Sequence, residues 1–144
     1  MLNAFKSFFR PNPKDNTTPI TILVVEDSET DRLFVTRTLE KAGFRVETAV
    51  NGALGLEKAK ALKPDLILLD CEMPVMGGVE MCKKLKETNG IHNTLVIFLT
   101  GLDTPKNTID CFEADAEHYL SKPISARLLT AEIKKVLEEK SLLK

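Results

Sequence analysis

Five side chains able to do chemistry each stand at the end of a short apolar run. Glu26 and Asp27 close ITILVVED, and Asp70 closes DLILLD. Thr100 closes TLVIFLT, and Lys122 lies in HYLSKP. Because the carboxyl ends of parallel strands meet at one edge of a sheet, these side chains are expected to share a small volume. Clustered carboxylates repel one another unless a cation offsets their charge, so the spacing predicts a divalent metal site.

Magnesium is the ion that such an oxygen-rich set favours. Mg2+ takes about six oxygen ligands, commonly one or two carboxylates with waters and phosphate oxygens. Asp27 and Asp70 can supply two carboxylates. A strand-end aspartate beside the ion is also a nucleophile for phosphorus, and its attack gives an aspartyl phosphate. Thr100 could then donate a hydrogen bond to one phosphoryl oxygen while Lys122 pairs with another.

The elements that must position these residues alternate along the chain. Strand-like runs are separated by amphipathic segments, as in a parallel sheet covered by helices on both faces. The run DLILLD is apolar on both faces, so it is predicted to be a central strand. Five β-α units fit, which predicts an α/β, doubly wound (βα)5 fold. The five runs are ITILVVE, FRVETAV, DLILLD, TLVIFLT and HYLSK.

Capping residues, helix-terminating residues and the spacing of apolar residues predict five helices. The first is predicted from about 28 to 42 and the third from about 78 to 87; the second, fourth and fifth follow Asn51, Thr104 and Ser125. The fifth helix is expected to face its apolar stripe inward. The stripes of the first, second and fifth helices are Phe34, Val35, Leu39, Ala42; Leu54, Leu56, Ala59, Leu62; and Leu128, Leu129, Ile133, Val136, Leu137.

Length and charge limit the classes of protein. A chain of 144 residues suits one domain, and 20 basic against 21 acidic residues leave no basic field that would indicate nucleic acid.

The proline-containing, polar residues 1–19 are predicted to be an extension or linker before a domain at 20–144. An apolar stripe there, with a basic flank, could form a short helix that folds back, docks to a partner or a second copy, or meets a membrane surface. Its residues are Leu2, Phe5, Phe8 and Phe9.

Cysteine use and hydropathy predict a cytoplasmic protein. Cys71, Cys82 and Cys111 are odd in number and lack CxxC spacing, which argues against a disulfide framework or a structural zinc site. Cys71 is interpreted as a small buried residue. No apolar run reaches the roughly 18–20 residues that span a bilayer, and no signal-peptide core is present.

Four motifs in order, each at a predicted strand end, resemble the receiver domain of two-component response regulators. They are VVED at 24–27, LLDCEMPVMGG at 68–78, FLTG at 98–101 and YLSKP at 119–123. Their order and spacing match across residues 20–140. The resemblance implies a flavodoxin-like receiver fold with sheet order 2-1-3-4-5 and the acidic site at its switch point.

By this resemblance the acidic residues take separate roles. Asp70 resembles the phosphoacceptor. Asp27 and Asp70 resemble the carboxylate ligands of Mg2+, while Glu26 would reach the ion through water. Glu72 would offer its backbone carbonyl as a further ligand.

The remaining motif residues resemble the switch. Thr100 matches the hydroxyl that moves onto the phosphoryl group, and Lys122 matches its cationic partner. Tyr119 matches the switch aromatic, which is expected to turn inward when Thr100 moves. The bond between Lys122 and Pro123 is expected to be cis, which proline permits at low cost.

Some positions depart from the family pattern without removing a reacting group. Glu26 stands where Asp is commoner, and its longer arm should still hold a water-bridged ion. Gly77 stands where Asp often precedes Gly, and Asp115 falls in a loop where glycine is frequent. Gly101 is expected to keep the space beside Thr100 open to a phosphodonor.

The function implied is a single-domain response regulator. It would accept a phosphoryl group on Asp70 from a sensor histidine kinase or a histidine phosphotransfer protein. It would signal by binding a protein target through helix 4, strand 5 and helix 5, by passing the phosphoryl group on, or by pairing with a second copy. No separate substrate would be turned over, so the chain is predicted not to be an enzyme.

Three other classes of protein share parts of this pattern. One is a pseudo-receiver that docks without phosphorylation, against which the complete residue set argues. Another is an Mg2+ phosphatase with an aspartyl nucleophile, similar to the haloacid dehalogenases, but its DxD motif is absent because Asp70 is followed by CE. The third is a flavodoxin-like FMN carrier, in which the acidic DSETD segment would repel the phosphate.

Overall fold

Five parallel strands form one sheet in the computed structural model, which describes residues 19–101, 109–111, 113–140 and 142. The strand order is β2-β1-β3-β4-β5, so the predicted order 2-1-3-4-5 is confirmed. Within the described residues the strands are β1 Thr21–Val25, β2 Arg45–Ala49, β3 Leu66–Leu69, β4 Leu95–Thr100 and β5 His118–Ser121.

The helices follow the strands as predicted. The fourth helix, α4, is described at residues 109–111 and 113. The predictions for the segment before residue 19 and for a cap at Thr104 lie outside the described residues. The other helices are α1 Glu29–Lys41, α2 Gly52–Leu62, α3 Gly78–Lys86 and α5 Ala126–Glu139.

Side-chain caps begin three of these helices. Ser28, Asn51 and Ser125 each accept a hydrogen bond from the backbone N–H three residues further on, at 2.9 to 3.3 Å. A cap satisfies one of the backbone donors that the first turn leaves without a partner, and its loss costs about 1 kcal/mol. The caps at Asn51 and Ser125 that the sequence predicts are therefore confirmed.

The core has two halves, one on each face of the sheet. On one face, Ile22 and Val24 of β1 pack in a cluster with buried residues of α1 and α5. On the other face, their neighbours Leu23 and Val25 pack in a cluster with buried residues of α2 and α3. All of β3 is buried, as expected of a central strand with helices on both faces.

The apolar stripes of three helices are narrower than predicted. Phe34, Leu54, Leu62 and Leu128 are exposed, although each was assigned to a stripe. Leu128 directly precedes the buried Leu129 on α5, and neighbouring helical residues point about 100° apart. On α5, Leu129 therefore faces the core while Leu128 is turned toward solvent.

No helix in the described part of the chain has the length and hydropathy to cross a membrane.

Leu128 and Leu129 form a matched pair for testing the packing of α5. Leu129→Ala should lower the free energy of unfolding by about 2–5 kcal/mol, because it opens a cavity in a fully buried cluster. Leu128→Ala, at a side chain that is 50% exposed, should cost less than about 1 kcal/mol. Urea titrations of the two variants measure the difference, and equal losses would contradict this orientation of α5.

Candidate functional site

Strand register brings the predicted residues to one edge of the sheet. Val25 of β1 lies opposite Leu69 of β3, so the residues that follow, Glu26 and Asp70, lie at neighbouring strand ends. The backbone N–H of Asp70 donates to the carbonyl oxygen of Val25 at 3.1 Å. The sheet edge continues through β4, which ends at Thr100, to β5, after which Lys122 follows.

Glu26, Asp27 and Asp70 form an acidic cluster at this edge. Each offers a carboxylate oxygen, and these oxygens lie within 4.8 Å of one another. Glu26 and Asp70 are buried, whereas Asp27 is exposed. Carboxylate oxygens beside solvent suit Mg2+, which keeps several waters. The donor set therefore fits the predicted ion.

Lys122 places an ammonium group among the carboxylates. Its Nζ lies 2.5 Å from Glu26 Oε1 and 3.1 Å from Asp70 Oδ2. A third contact, 2.9 Å long, goes to Oδ2 of Asp31, on the first turn of α1. A lysine ammonium has three donors, so all three are used by carboxylates.

Burial and nearby charges shift the pKa values of Glu26 and Lys122. Desolvation raises the pKa of Glu26 to about 7; the hydrogen bonds from Lys122 and from the Ser28 backbone oppose this, and the charge of Asp70 adds to it. Burial by itself would lower the pKa of Lys122, but bonds to Glu26 and Asp31 and the charge of Asp70 raise it above its ordinary value. The ammonium is thus held charged.

The hydroxyl and proline positions of the motif also lie at this edge. Thr100 is buried, and its carbonyl oxygen accepts a hydrogen bond from the N–H of Lys122 at 3.1 Å. A Cβ atom built on Gly101 would meet none of the described residues within 4 Å, so these residues leave the space beside Thr100 open. The bond between Lys122 and Pro123 is cis, as the resemblance implies.

Tyr119 connects β5 to α4. Its ring is half-buried and stacks on that of Phe98, with centroids 5.8 Å apart and an interplanar angle of 11°. Its hydroxyl donates to the carbonyl oxygen of Cys111 in α4. Burial, with the nearby Cys82 and Asp115, raises the pKa of Tyr119 to about 12. The phenol therefore stays protonated and able to donate.

The loop after β3 folds tightly against the backbone of Asp70. The N–H of Gly78 donates to the carbonyl oxygen of Cys71 at 2.9 Å. A Cβ atom on Gly78 would lie 2.1 Å from the carbonyl oxygen of Asp70, a distance that no side chain could tolerate. The N–H of Glu72 lies 3.4 Å from Asp70 Oδ1. The metal-binding role of the Glu72 carbonyl stays a prediction.

The departures at Glu26 and Asp115 have structural explanations. The longer arm of Glu26 lets its two oxygens reach different partners, Lys122 and the N–H of Ser28. Asp115 adopts a φ of 63°, in the left-handed region that favours glycine and tolerates aspartate. The loop therefore keeps the glycine conformation without glycine.

Cys71 and Cys111 come into contact through their Sγ atoms, although they lie on different elements. Their Cα atoms are 7.2 Å apart. Cysteines whose Cα atoms are more than about 7 Å apart cannot be bridged without a shift of the backbone, so this spacing does not fit a disulfide, and the absence of a disulfide framework stays a prediction. Cys71 is buried as predicted, and the remaining cysteine, Cys82, is free and buried.

Two residues that the sequence analysis did not assign also belong to the site. Asp31 binds the ammonium of Lys122, and Arg32 donates from Nη1 to the carbonyl oxygen of Glu26 at 2.9 Å. Arg32 thereby fixes the backbone that carries the acids. Both residues lie in the first turn after Ser28, where an acid is readily interpreted as a helix-end residue.

Comparison with known proteins agrees with the fold and the site. The model of the response regulator receiver domain family matches residues 22–134. The chain belongs to this family.

Two similar proteins are longer regulators, and this chain matches only a part of each. The chain is 36% identical over 116 residues to the alkaline phosphatase synthesis transcriptional regulatory protein PhoP of Bacillus subtilis, covering 81% of this chain and 48% of PhoP. It is 34% identical to the hybrid signal transduction histidine kinase D of Dictyostelium discoideum, covering 89% of this chain and 8% of the kinase. The chain thus spans about half, or far less, of these relatives.

A solved structure covers nearly the whole fold. The chemotaxis protein CheY4 of Vibrio cholerae is 33% identical and superposes with a TM-score of 0.76. The match covers 82% of this chain and 98% of CheY4. The fold predicted from the motifs is therefore confirmed by a protein of similar extent.

Glycines 78 and 101 test the packing around the acidic site. Gly78→Ala should destabilise the protein by about 1–3 kcal/mol, because its Cβ would collide with the Asp70 backbone. Gly101→Ala adds a Cβ atom that would meet none of the described residues within 4 Å, and it should change stability by less than about 0.5 kcal/mol. Chemical denaturation compares the stability of the two variants. A Gly78→Ala protein as stable as the parent would contradict the close packing of this loop on the Asp70 backbone.

Proposed function

We propose that the chain is a phosphoacceptor of a two-component pathway and that Asp70 receives the phosphoryl group with Mg2+ bound. The observation that carries this proposal is the setting of the Asp70 carboxylate. It is largely buried, touches the ammonium of Lys122 and lies within 4.8 Å of carboxylate oxygens of Glu26 and Asp27. Such a group is held by Lys122 and lies next to a metal-binding set, as a nucleophile for phosphorus requires.

The phosphoryl donor is a phosphohistidine of a sensor kinase or phosphotransfer protein. A carboxylate oxygen of Asp70 forms a bond to phosphorus while the phosphorus–nitrogen bond of the donor breaks and its electron pair leaves with the imidazole. Similarity to a hybrid histidine kinase supports this class of partner. We place this exchange in the cytoplasm, where such partners present their phosphohistidines.

The residues around Asp70 stabilise the transferred group. Lys122 donates to a phosphoryl oxygen, and the hydroxyl of Thr100 donates to another after it moves toward the group. The space that the described residues leave open at Gly101 would give the donor access. When bound by Asp27 and Asp70, with Glu26 through water and Glu72 through its carbonyl, Mg2+ would offset the negative charge that gathers on the phosphoryl oxygens.

The signal is a shift between two arrangements of the face formed by α4, β5 and α5. Movement of Thr100 toward the phosphoryl group changes the space beside Tyr119, whose hydroxyl binds α4 through Cys111. Phosphorylation then favours one arrangement because its contacts differ between the two. The output is binding of a protein target, a phosphotransfer protein or a second copy to this face, without turnover of a separate substrate.

Asp70→Asn tests the phosphoacceptor. Incubation with acetyl phosphate and Mg2+ should add one phosphoryl group to the parent protein and none to the variant, because an amide is a poor nucleophile. Intact-mass spectrometry measures the addition. Asp65→Asn is the control, because Asp65 lies at the other end of β3, where it accepts from the N–H of Thr21. Full labelling of Asp70→Asn would refute the assignment.

Asp27→Asn tests the metal site. The variant should bind Mg2+ at least about tenfold more weakly, because it removes one of two direct carboxylate ligands. Isothermal titration calorimetry gives the Kd. Glu80→Gln removes an exposed acid from the first turn of α3 and should leave the Kd within about twofold. Equal effects of the two substitutions would indicate a general charge effect instead of ligation.

A further inference from the structure

Asp31 makes a contact that its place in the sequence does not suggest. Ser28 caps α1, so Asp31 occupies the third helical position, from which a Glu or Gln side chain in a capping box reaches back to the N–H of the capping residue. Here the N–H of Ser28 instead donates to Oε2 of Glu26 at 3.1 Å. With that donor taken, the carboxylate of Asp31 reaches Nζ of Lys122 at 2.9 Å.

The three carboxylates that contact Lys122 differ in whether they take part in the proposed reaction. Asp70 is the group that reacts, so its contact with the ammonium must change when a phosphoryl group is added. Glu26 and Asp31 stay unmodified and can keep their contacts throughout. Their side chains approach from different elements, the end of β1 and the first turn of α1. Together they hold two of the three donors of Lys122 in place.

We propose that Asp31 is a positioning residue for phosphoryl transfer: with Glu26 it clamps the ammonium of Lys122 so that the third donor faces Asp70. This inference rests on the proposed function of Asp70 and adds a residue to it. When Asp70 carries the phosphoryl group, the third donor passes to a phosphoryl oxygen while the clamp persists. The lysine then need not be reoriented during the reaction, which favours transfer.

The simpler role for an acid in the first turn of a helix is to stabilise the helix dipole. Glu29 shares that role, because it also lies in the first turn of α1, and it is exposed. The two acids differ in that Asp31 contacts Lys122. Glu29→Gln therefore removes the same charge from the same turn and serves as the matched control.

The test measures phosphorylation by acetyl phosphate at saturating Mg2+ in the parent chain, Asp31→Asn, Asp31→Glu and Glu29→Gln. Asp31→Asn should lower the rate at saturating donor about three- to tenfold; the Asp31 side chain is 44% exposed, so solvent limits the effect. The donor concentration at half-maximal rate should change less. Asp31→Glu should recover part of the rate, and Glu29→Gln should stay within about twofold.

A second measurement follows the clamp directly. Nitrogen-15 NMR of the Lys122 ammonium at fixed pH reports how fast its protons exchange with water. Asp31→Asn should speed this exchange several-fold, whereas Glu29→Gln should not. A helix-dipole role would not move this signal selectively.

The outcomes separate this inference from the proposed function. A labelled parent chain with an unchanged rate in Asp31→Asn, or with an equal loss in Glu29→Gln, overturns the clamp and leaves the phosphoacceptor intact. Failure of Asp31→Glu to recover any rate also counts against the clamp. A parent chain that takes up no phosphoryl group refutes the proposed function, and the positioning role is refuted with it.

Discussion

Negative charge buried at neighbouring strand ends is the constraint on which the site depends. Glu26 and Asp70 are both buried, and their carboxylates lie close enough to repel each other. Ionising both in such a place is unfavourable unless positive charge is supplied. Lys122 supplies one charge, yet three carboxylates share it. A net negative charge remains, so the same arrangement that holds the lysine also favours a divalent cation.

The parallel sheet makes this concentration of charge possible. Each strand is held on both faces by apolar packing, so its carboxyl end can present a polar residue in a fixed position. The loop after β3 adds to this precision because Gly78 lets its backbone lie against the carbonyl oxygen of Asp70. A larger residue would push the loop away from the carboxylate. The rigid core therefore holds the carboxylates closer together than they would lie if they were free in solution.

The sequence predicts the features that depend on strand ends and misses those that depend on side-chain reach. The meeting of Glu26, Asp70 and Lys122 follows from where apolar runs stop, whereas the strand order follows from the resemblance to the receiver family. Asp31 was missed because its spacing from Ser28 suggests a helix cap, and only the structure shows that Glu26 already occupies the Ser28 N–H. The contact between Cys71 and Cys111 was missed because local spacing says nothing about how α4 packs on the loop after β3.

Lys122 also links the charged site to the signalling face that we propose. It lies three residues after Tyr119, directly after the end of β5. Its N–H donates a hydrogen bond to the carbonyl oxygen of Thr100. If Glu26 and Asp31 hold the ammonium as we propose, a phosphoryl group on Asp70 would move the Thr100 hydroxyl and not the lysine. The described residues leave space open at Gly101, beside Thr100. If Lys122 stays in place, a change of charge at Asp70 would move Thr100 and thereby alter the face formed by α4, β5 and α5.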